Sequence, residues 1–466
     1  MEKNYPVEKF DVTSIFNPKL LLFILTLGAV VCFVGILLID VPTAYTMLYM
    51  GPVVYLACLV LFVRPRYLFG LGTYILISMY FIKLCILPIT TVLGNFTTIV
   101  SSAIYTYYWN EGCLYIFLEW FIVSAAIRLI GSHYVKKLQK TIEKEEVPTY
   151  KMTFSRHPFY YFALFVMLTI VVVLVGLNTN LLSAFFFAWE LEDDTVGNSG
   201  GPVWFIFKNF VEWVKPMFLF WLVIKIYNAP FRQGKMPMLL IIATISTIVM
   251  TEYRILSLIT GLTIFGFVLG KYNRFKIIGQ VLKLCCLAGM FFLVYELTTH
   301  GVDLNQTLGN LGRLLDGYCG GYIVAAASAS VQMSDGFIMF IHDTVSANPL
   351  YHTLFGNITT TTEVINSSLN ATAKGTFYEL MVQAKDFFGV FAPFAVGLCI
   401  FFIMKMDFNA LTEEIEIYRL FYVFCGVAIG LFMVMYTYSM VTNFIIYKCF
   451  VWLVIIALDR RITLRL

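Results

Sequence analysis

The stretch LLLFILTLGAVVCFVGILLI, which forms residues 20 to 39, is apolar throughout and holds no charged side chain. A helix of about 20 residues rises about 30 Å, and this length matches the hydrocarbon core of a bilayer. Because lipid offers no partner to unpaired backbone groups, a lone strand is excluded there. The stretch is therefore predicted to cross a membrane as one helix.

Similar runs recur along the whole chain. The 466 residues are 60% hydrophobic and 13% charged, with a mean hydropathy of +0.82, whereas soluble domains carry roughly 25% charged residues. We expect an all-α polytopic membrane protein with about twelve transmembrane helices, of which the seventh and eighth are short enough to be a pair of tilted or partial helices. The predicted bounds are 20–39, 43–63, 67–88, 112–131, 158–177, 204–227, 237–251, 255–270, 277–297, 387–405, 418–438 and 442–458.

Basic residues predict the orientation of the spans, because loops rich in Lys and Arg stay on the cytoplasmic side. Most of the 32 basic residues fall in loops on the side of the N-terminus. Both termini are therefore predicted to be cytoplasmic, and no cleaved signal peptide is expected. The net charge of +4 reflects this topology and contact with membrane lipid, and it does not suggest a nucleic-acid partner. Some lysines fall within predicted spans: Lys83, Lys208, Lys215, Lys283 and Lys448.

One connection is much longer than the others. Residues 298–386 form a predicted outer loop, which separates a membrane domain of residues 1–297 from a second one of residues 387–466. Loops longer than about 12 to 15 residues are usually functional or disordered. Apolar runs such as Gly336 to Ile341 indicate order. We expect short helices on the membrane surface that form a lid over a cavity, with the active site beneath it.

Arg254 lies between two apolar segments on the predicted outer side, where positive charge is scarce. A basic side chain held at membrane depth usually faces a cavity or a partner. Its guanidinium could bind a diphosphate in bidentate fashion. An ion pair with Glu252 that only fixes a helix end is the alternative, and the sequence leaves both open.

The long loop supplies the other ionisable candidates. His342 stands next to Asp343, and both side-chain types can act as a base toward a hydroxyl. Neighbouring residues on a helix point in different directions, so the two need not interact. A solvated surface charge is the alternative at every position. The candidates are Arg313, Asp316, His342, Asp343, His352, Glu363, Lys374, Glu379, Lys385 and Asp386.

Three stretches give the chain a resemblance to the Wzy-type oligosaccharide repeat-unit polymerases, the family of O-antigen and capsular polysaccharide polymerases. Thr251 to Arg254, followed by the apolar run to Phe265, is similar to the family's turn that ends in Arg and opens a helix. The stretch from Asn348 to Phe355 resembles an aromatic, Pro-containing part of the outer loop. The stretch from Gly375 to Gly389 is similar to a Glu and Phe-Gly pattern that leads out of that loop.

The resemblance implies a GT-C-like glycosyltransferase of the bacterial cytoplasmic membrane. It would transfer a growing glycan from undecaprenyl diphosphate to a lipid-linked repeat unit at the outer face. The flippase and the chain-length regulator of the same pathway are implied as partners, and no metal or other cofactor is implied. The ten cysteines likewise show no disulfide framework and no CxxC pair.

The expected site has two parts, a set of cationic side chains and a general base. Cations would bind the leaving diphosphate, and a base would take the proton of the acceptor hydroxyl. His352 and Glu379 are favoured as the base because they lie in the family-like stretches. The diphosphate-binding candidates are Arg254, Arg313, Lys374 and Lys385, and the catalytic candidates are His352, Glu379, His342 and Asp343.

Two further hypotheses remain open. An O-antigen-ligase-like transferase would use the same donor with a different acceptor, and the residues do not separate it from a polymerase. A transporter or flippase of lipid-linked oligosaccharide would favour internal symmetry and charges in the middle of the membrane. We find no internal repeat, and the long outer loop favours a transferase.

Overall fold

The computed structural model describes residues 18–96, 106–143, 201–229, 234–248, 254–271, 309, 312–313, 315–331, 333, 335–346, 359–361, 363–365 and 378–461. These residues form helices and turns, with no strand among them. Within them, seven helices are long and apolar enough to cross a membrane. The prediction of an all-α chain built for a membrane is therefore confirmed. The count of about twelve spans stays a prediction, since 158–177 and 277–297 lie outside the described residues.

Four helices form the N-terminal part of the structure. The first helix, α1 (Pro18–Leu37), is apolar on every side, and most of its surface is exposed to lipid. A π-helical turn, Ile82–Ile86, lies in the middle of α3 (Leu71–Leu93). Such turns are frequent at functional sites. The helices are α1 (Pro18–Leu37), α2 (Met50–Phe62, extended by a 3₁₀ turn over Thr43–Tyr49), α3 (Leu71–Leu93) and α4 (Trp109–Glu143).

The described residues from 201 to 271 form three helices: α5 (Gly201–Asn228), α6 (Lys235–Ile248) and α7 (Arg254–Lys271). The last two pack side by side and are short. This confirms the predicted pair of short helices.

Three short helices occupy the described part of the predicted outer loop: α8 (Tyr322–Ser330), α9 (Gly336–Ser346) and α10 (Leu380–Phe388). Short helices were expected there, and two of them are buried among the neighbouring helices. Nearly all of α8 is buried against α4, and α10 packs against α4, α8 and the next helix. We call α8 and α10 the inserted helices.

The sequence explains why α8 can insert. Its residues are mostly small, and Gly112 faces it from α4. A Cβ atom at Gly112 would lie 2.6 Å from the backbone nitrogen of Ala326, so only glycine permits this approach. Small residues at helix contacts are a common way to bring helices together in membranes.

The C-terminal helices are α11 (Ala392–Thr412), α12 (Glu416–Met435) and α13 (Tyr438–Arg460). α12 is the central helix, because every residue from Glu416 to Val434 is buried. It packs against α3, α5, α7, α11 and α13. A helix that is apolar on all sides is stable only when it is surrounded by other apolar groups. A second π-helical turn, Ile445–Cys449, lies within α13.

Candidate functional site

A buried lysine lies in the middle of the bundle. Lys83 belongs to the π-helical turn of α3, midway between the ends Leu71 and Leu93 of this span, and is only 1% exposed. A charged group at that depth needs partners, because its transfer out of water is costly.

Two carboxylates supply those partners. Nζ of Lys83 lies 3.0 Å from Oε2 of Glu119 on α4 and 3.3 Å from Oε1 of Glu379. Both glutamates are 0% exposed. The hydroxyl of Tyr80, one helical turn before Lys83, donates to Oε1 of Glu119. We call Tyr80, Lys83, Glu119 and Glu379 the buried ion cluster.

Glu379 is brought to this depth by the inserted helices. It caps the N-terminus of α10, where its carboxylate accepts a hydrogen bond from the backbone N–H of Val382 at 2.8 Å. Its own backbone N–H donates to Oγ of Ser328 on α8 at 3.0 Å. The positive end of the helix dipole favours a carboxylate there. The start of α10 therefore lies at the height of Lys83, in the middle of the bundle.

The turn before α8 approaches the same lysine. Gly320 has a φ of +52°, a conformation that favours glycine, and an added Cβ would lie 3.8 Å from Nζ of Lys83. In the same turn, Asp316 accepts hydrogen bonds from the backbone N–H groups of Ile323 and Val324 at 3.3 and 3.4 Å. Burial raises the pKa of Asp316 to about 7, although these hydrogen bonds act in the opposite direction. Asp316, one of the ionisable candidates of the long loop, is therefore buried and caps the start of α8.

The other end of α10 carries a more exposed polar group. The hydroxyl of Tyr378 donates to Oδ2 of Asp386 at 2.6 Å. Nζ of Lys385 lies 3.9 Å from Oδ1 of Asp386 and 5.3 Å from the ring centre of Tyr115, and its side chain is 47% exposed. Tyr115 precedes Glu119 by one turn of α4, about 6 Å along the axis.

His342 and Asp343 on α9 bind the same neighbouring segment instead of each other. Asp343 is buried and accepts from the backbone N–H of Thr361 at 2.8 Å, while Nδ1 of the partly exposed His342 lies 3.2 Å from the carbonyl oxygen of Thr359. Burial raises the pKa of Asp343. Its role in this arrangement is to fasten the Thr359 to Thr361 segment to α9.

The remaining candidates are only partly visible in the described residues. The exposed Arg313 lies beside Gly94 at the end of α3, since a Cβ there would be 3.6 Å from Cγ of Arg313. Arg254 begins α7, but its side chain lies outside the described part. His352 and Lys374 lie wholly outside it.

Sequence reasoning missed the partnership at the centre of the site. Lys83 was noticed only as a lysine within a span, and Glu119 was not considered. The available signal was that each is a lone ionisable residue in an apolar segment, and such residues are expected to pair. Among the described residues, no group of three or more His, Cys, Asp or Glu side chains could hold a metal ion.

Comparison with known proteins gave no match: no family model, no curated protein and no solved structure is significantly similar to the chain. The site must therefore be interpreted from its own chemistry.

Proposed function

We propose that the protein is a membrane glycosyltransferase that polymerises lipid-linked repeat units. It transfers a growing glycan from undecaprenyl diphosphate to a repeat unit on its own lipid carrier, at the outer face of the bacterial cytoplasmic membrane. The observation that supports this most is the insertion of α8 and α10. It places polar groups in an apolar bundle and leaves the side chain of Lys385 exposed at the far end of α10.

The proposed reaction needs cations for the leaving group. The acceptor oxygen bonds to the anomeric carbon, the bond from that carbon to the diphosphate oxygen breaks, and the diphosphate leaves as an anion. Lys385 and Arg313 are exposed and could bind it, together with Arg254 and Lys374.

The buried position of Glu379 changes its proposed role. The hydroxyl proton must pass to a base within hydrogen-bond reach of the acceptor. Glu379 is fully buried and paired with Lys83, so in this conformation it positions α10 and does not contact an acceptor. Of the catalytic candidates with described side chains, His342 is the accessible one, and we propose it as the base alongside His352.

A chromosomal deletion tests the proposal in the native host. We expect the deletion strain to display single repeat units on its surface in place of long polysaccharide. Unchanged polysaccharide length would refute the proposal, and polymer that remains on its lipid carrier instead of its final acceptor would identify a ligase.

A transporter or flippase is the second candidate, and the buried ion cluster is the observation that favours it. Charged side chains in the middle of a membrane often line the path of an ion or substrate. In this case the deletion strain would display no repeat units, because they would remain on the cytoplasmic side.

A further inference from the structure

The buried ion cluster contains more acid than base. Lys83 carries one positive charge, whereas Glu119 and Glu379 would carry two negative charges if both were ionised. All three side chains are removed from solvent. An uncompensated charge in such a place is strongly unfavourable, and buried groups usually respond by taking up or losing a proton.

The groups that face the cluster do not compensate this charge. Tyr80 belongs to the cluster itself; Cys399 faces the cluster from α11, and Asp316 and Cys319 face it from the turn before α8. Their side chains are neutral or acidic. Among the described residues that face the cluster, Lys83 is therefore the basic side chain that offsets the negative charge of both glutamates.

The two carboxyl groups contact the same ammonium group, Nζ of Lys83, at 3.0 and 3.3 Å, and they therefore lie close to each other. Two ionised carboxylates at such a short separation repel, and pairs of this kind can hold one shared proton. This arrangement selects a proton over a larger cation, since the ammonium group of Lys83 already contacts both glutamates.

We propose that Glu119, Glu379 and Lys83 form a proton-binding site, in which one proton is shared by the two carboxyl groups. The site lies where α10 meets the transmembrane helices, and Glu379 is also the cap of α10. Loss of the proton would leave a negative charge in the bundle and weaken the hold on the inserted helices. The proposal does not depend on the polymerase function.

Infrared difference spectroscopy of the purified full-length protein tests this directly. Spectra are recorded while the pH is raised, in H₂O and D₂O, with sodium or with choline as the cation. We expect a carbonyl band of protonated carboxyl that shifts in D₂O, fades at high pH and is independent of sodium. A band that appears only when sodium is absent would mean that the site binds a metal cation, and would overturn the proposal.

Conservative variants assign the band to the site. Glu119→Gln and Glu379→Gln each leave one carboxylate with Lys83, a neutral pair that needs no proton, so each should lose the part of the band that comes from this site. Glu414→Gln changes an exposed glutamate and should keep it. Retention of the whole band in both buried variants would overturn the proposal.

A measurement on the wild type alone covers the case in which the variants do not fold. Glutamate labelled with ¹³C at the side-chain carboxyl separates glutamate bands from aspartate bands. Exposed glutamates are ionised at pH 7, so a protonated glutamate band at that pH supports the site. Its absence overturns the proposal.

Discussion

Glu379 joins three parts of the structure through one side chain and its backbone. It pairs with Lys83, caps α10 and binds Ser328 of α8. The sequence singled out Glu379 from a family-like stretch as a catalytic base, yet it did not reveal Lys83 or Glu119 as partners. These residues lie far apart along the chain, and side-chain pairing across such separations depends on helix packing, which periodicity does not encode.

Replacement of Glu379 should therefore destabilise the protein. Glu379→Ala removes a cap worth about 1 kcal/mol and one of the two buried carboxyl partners of Lys83, which keeps Glu119 as its other partner. Thermal unfolding in detergent should show a clearly lower Tm than the wild type. The exposed Glu414→Ala should unfold like the wild type, and equal Tm values for the two variants would contradict the proposed role of Glu379.

Asp316 should make stability depend on pH. Its pKa rises from 3.8 to about 7 on folding because of burial, so between these values the folded protein holds a proton that the unfolded chain has lost. Stability from this group is therefore greatest at low pH and declines as the pH rises toward 7. The Tm of the wild type should fall more between pH 5 and pH 8 than that of Asp316→Asn. A steeper fall in the variant would show that the sign is wrong.

At the scale of elements, hydropathy predicted the helices but not their surroundings. α1 and α12 are both long and apolar enough to cross a membrane, yet α1 lies at the edge and α12 at the centre. Hydropathy reports only that a segment avoids water, and lipid and protein satisfy this requirement equally well. The insertion of α8 and α10 was missed for the same reason, since small apolar residues suit a surface helix as well as a tight helix contact.

The contact between α8 and α4 can be tested with a single methyl group. Gly112→Ala should destabilise the protein by about 1 to 3 kcal/mol, as overpacking does, because the new Cβ would meet the backbone of α8. Gly397→Ala on α11 is the matched control, since a Cβ there meets nothing within 4 Å. Thermal unfolding compares the two variants. If Gly112→Ala is as stable as Gly397→Ala, α8 does not approach α4 this closely.

At the scale of the whole molecule, the inserted helices connect a buried charged centre to an exposed cation. The buried ion cluster holds the start of α10, and Lys385 is presented at the other end of the same helix. The sequence predicted the membrane helices and singled out several of the charged residues. It did not predict that these residues come together, because the contact between the long predicted loop and α3 depends on how the helices pack in the folded bundle.

Lys385 should contribute to binding of the donor diphosphate. Loss of a charge-assisted hydrogen bond costs about 1.5 to 3 kcal/mol, or roughly a 10- to 100-fold change in affinity. Lys385→Ala should therefore raise the KM for the lipid-linked donor, and Lys385→Arg should restore part of it. Lys405→Ala removes an exposed lysine of α11 and serves as the control. An unchanged KM in Lys385→Ala would exclude this role.

The most direct test of the proposed function is polymerisation by the isolated protein. Lipid-linked oligosaccharide extracted from the deletion strain is reconstituted with purified protein in liposomes, so that the native sugar is supplied even though its composition is undetermined. We predict a ladder of products that differ by one repeat unit and remain attached to the lipid. Repeat units that stay single, or that only change leaflet, would contradict the proposal.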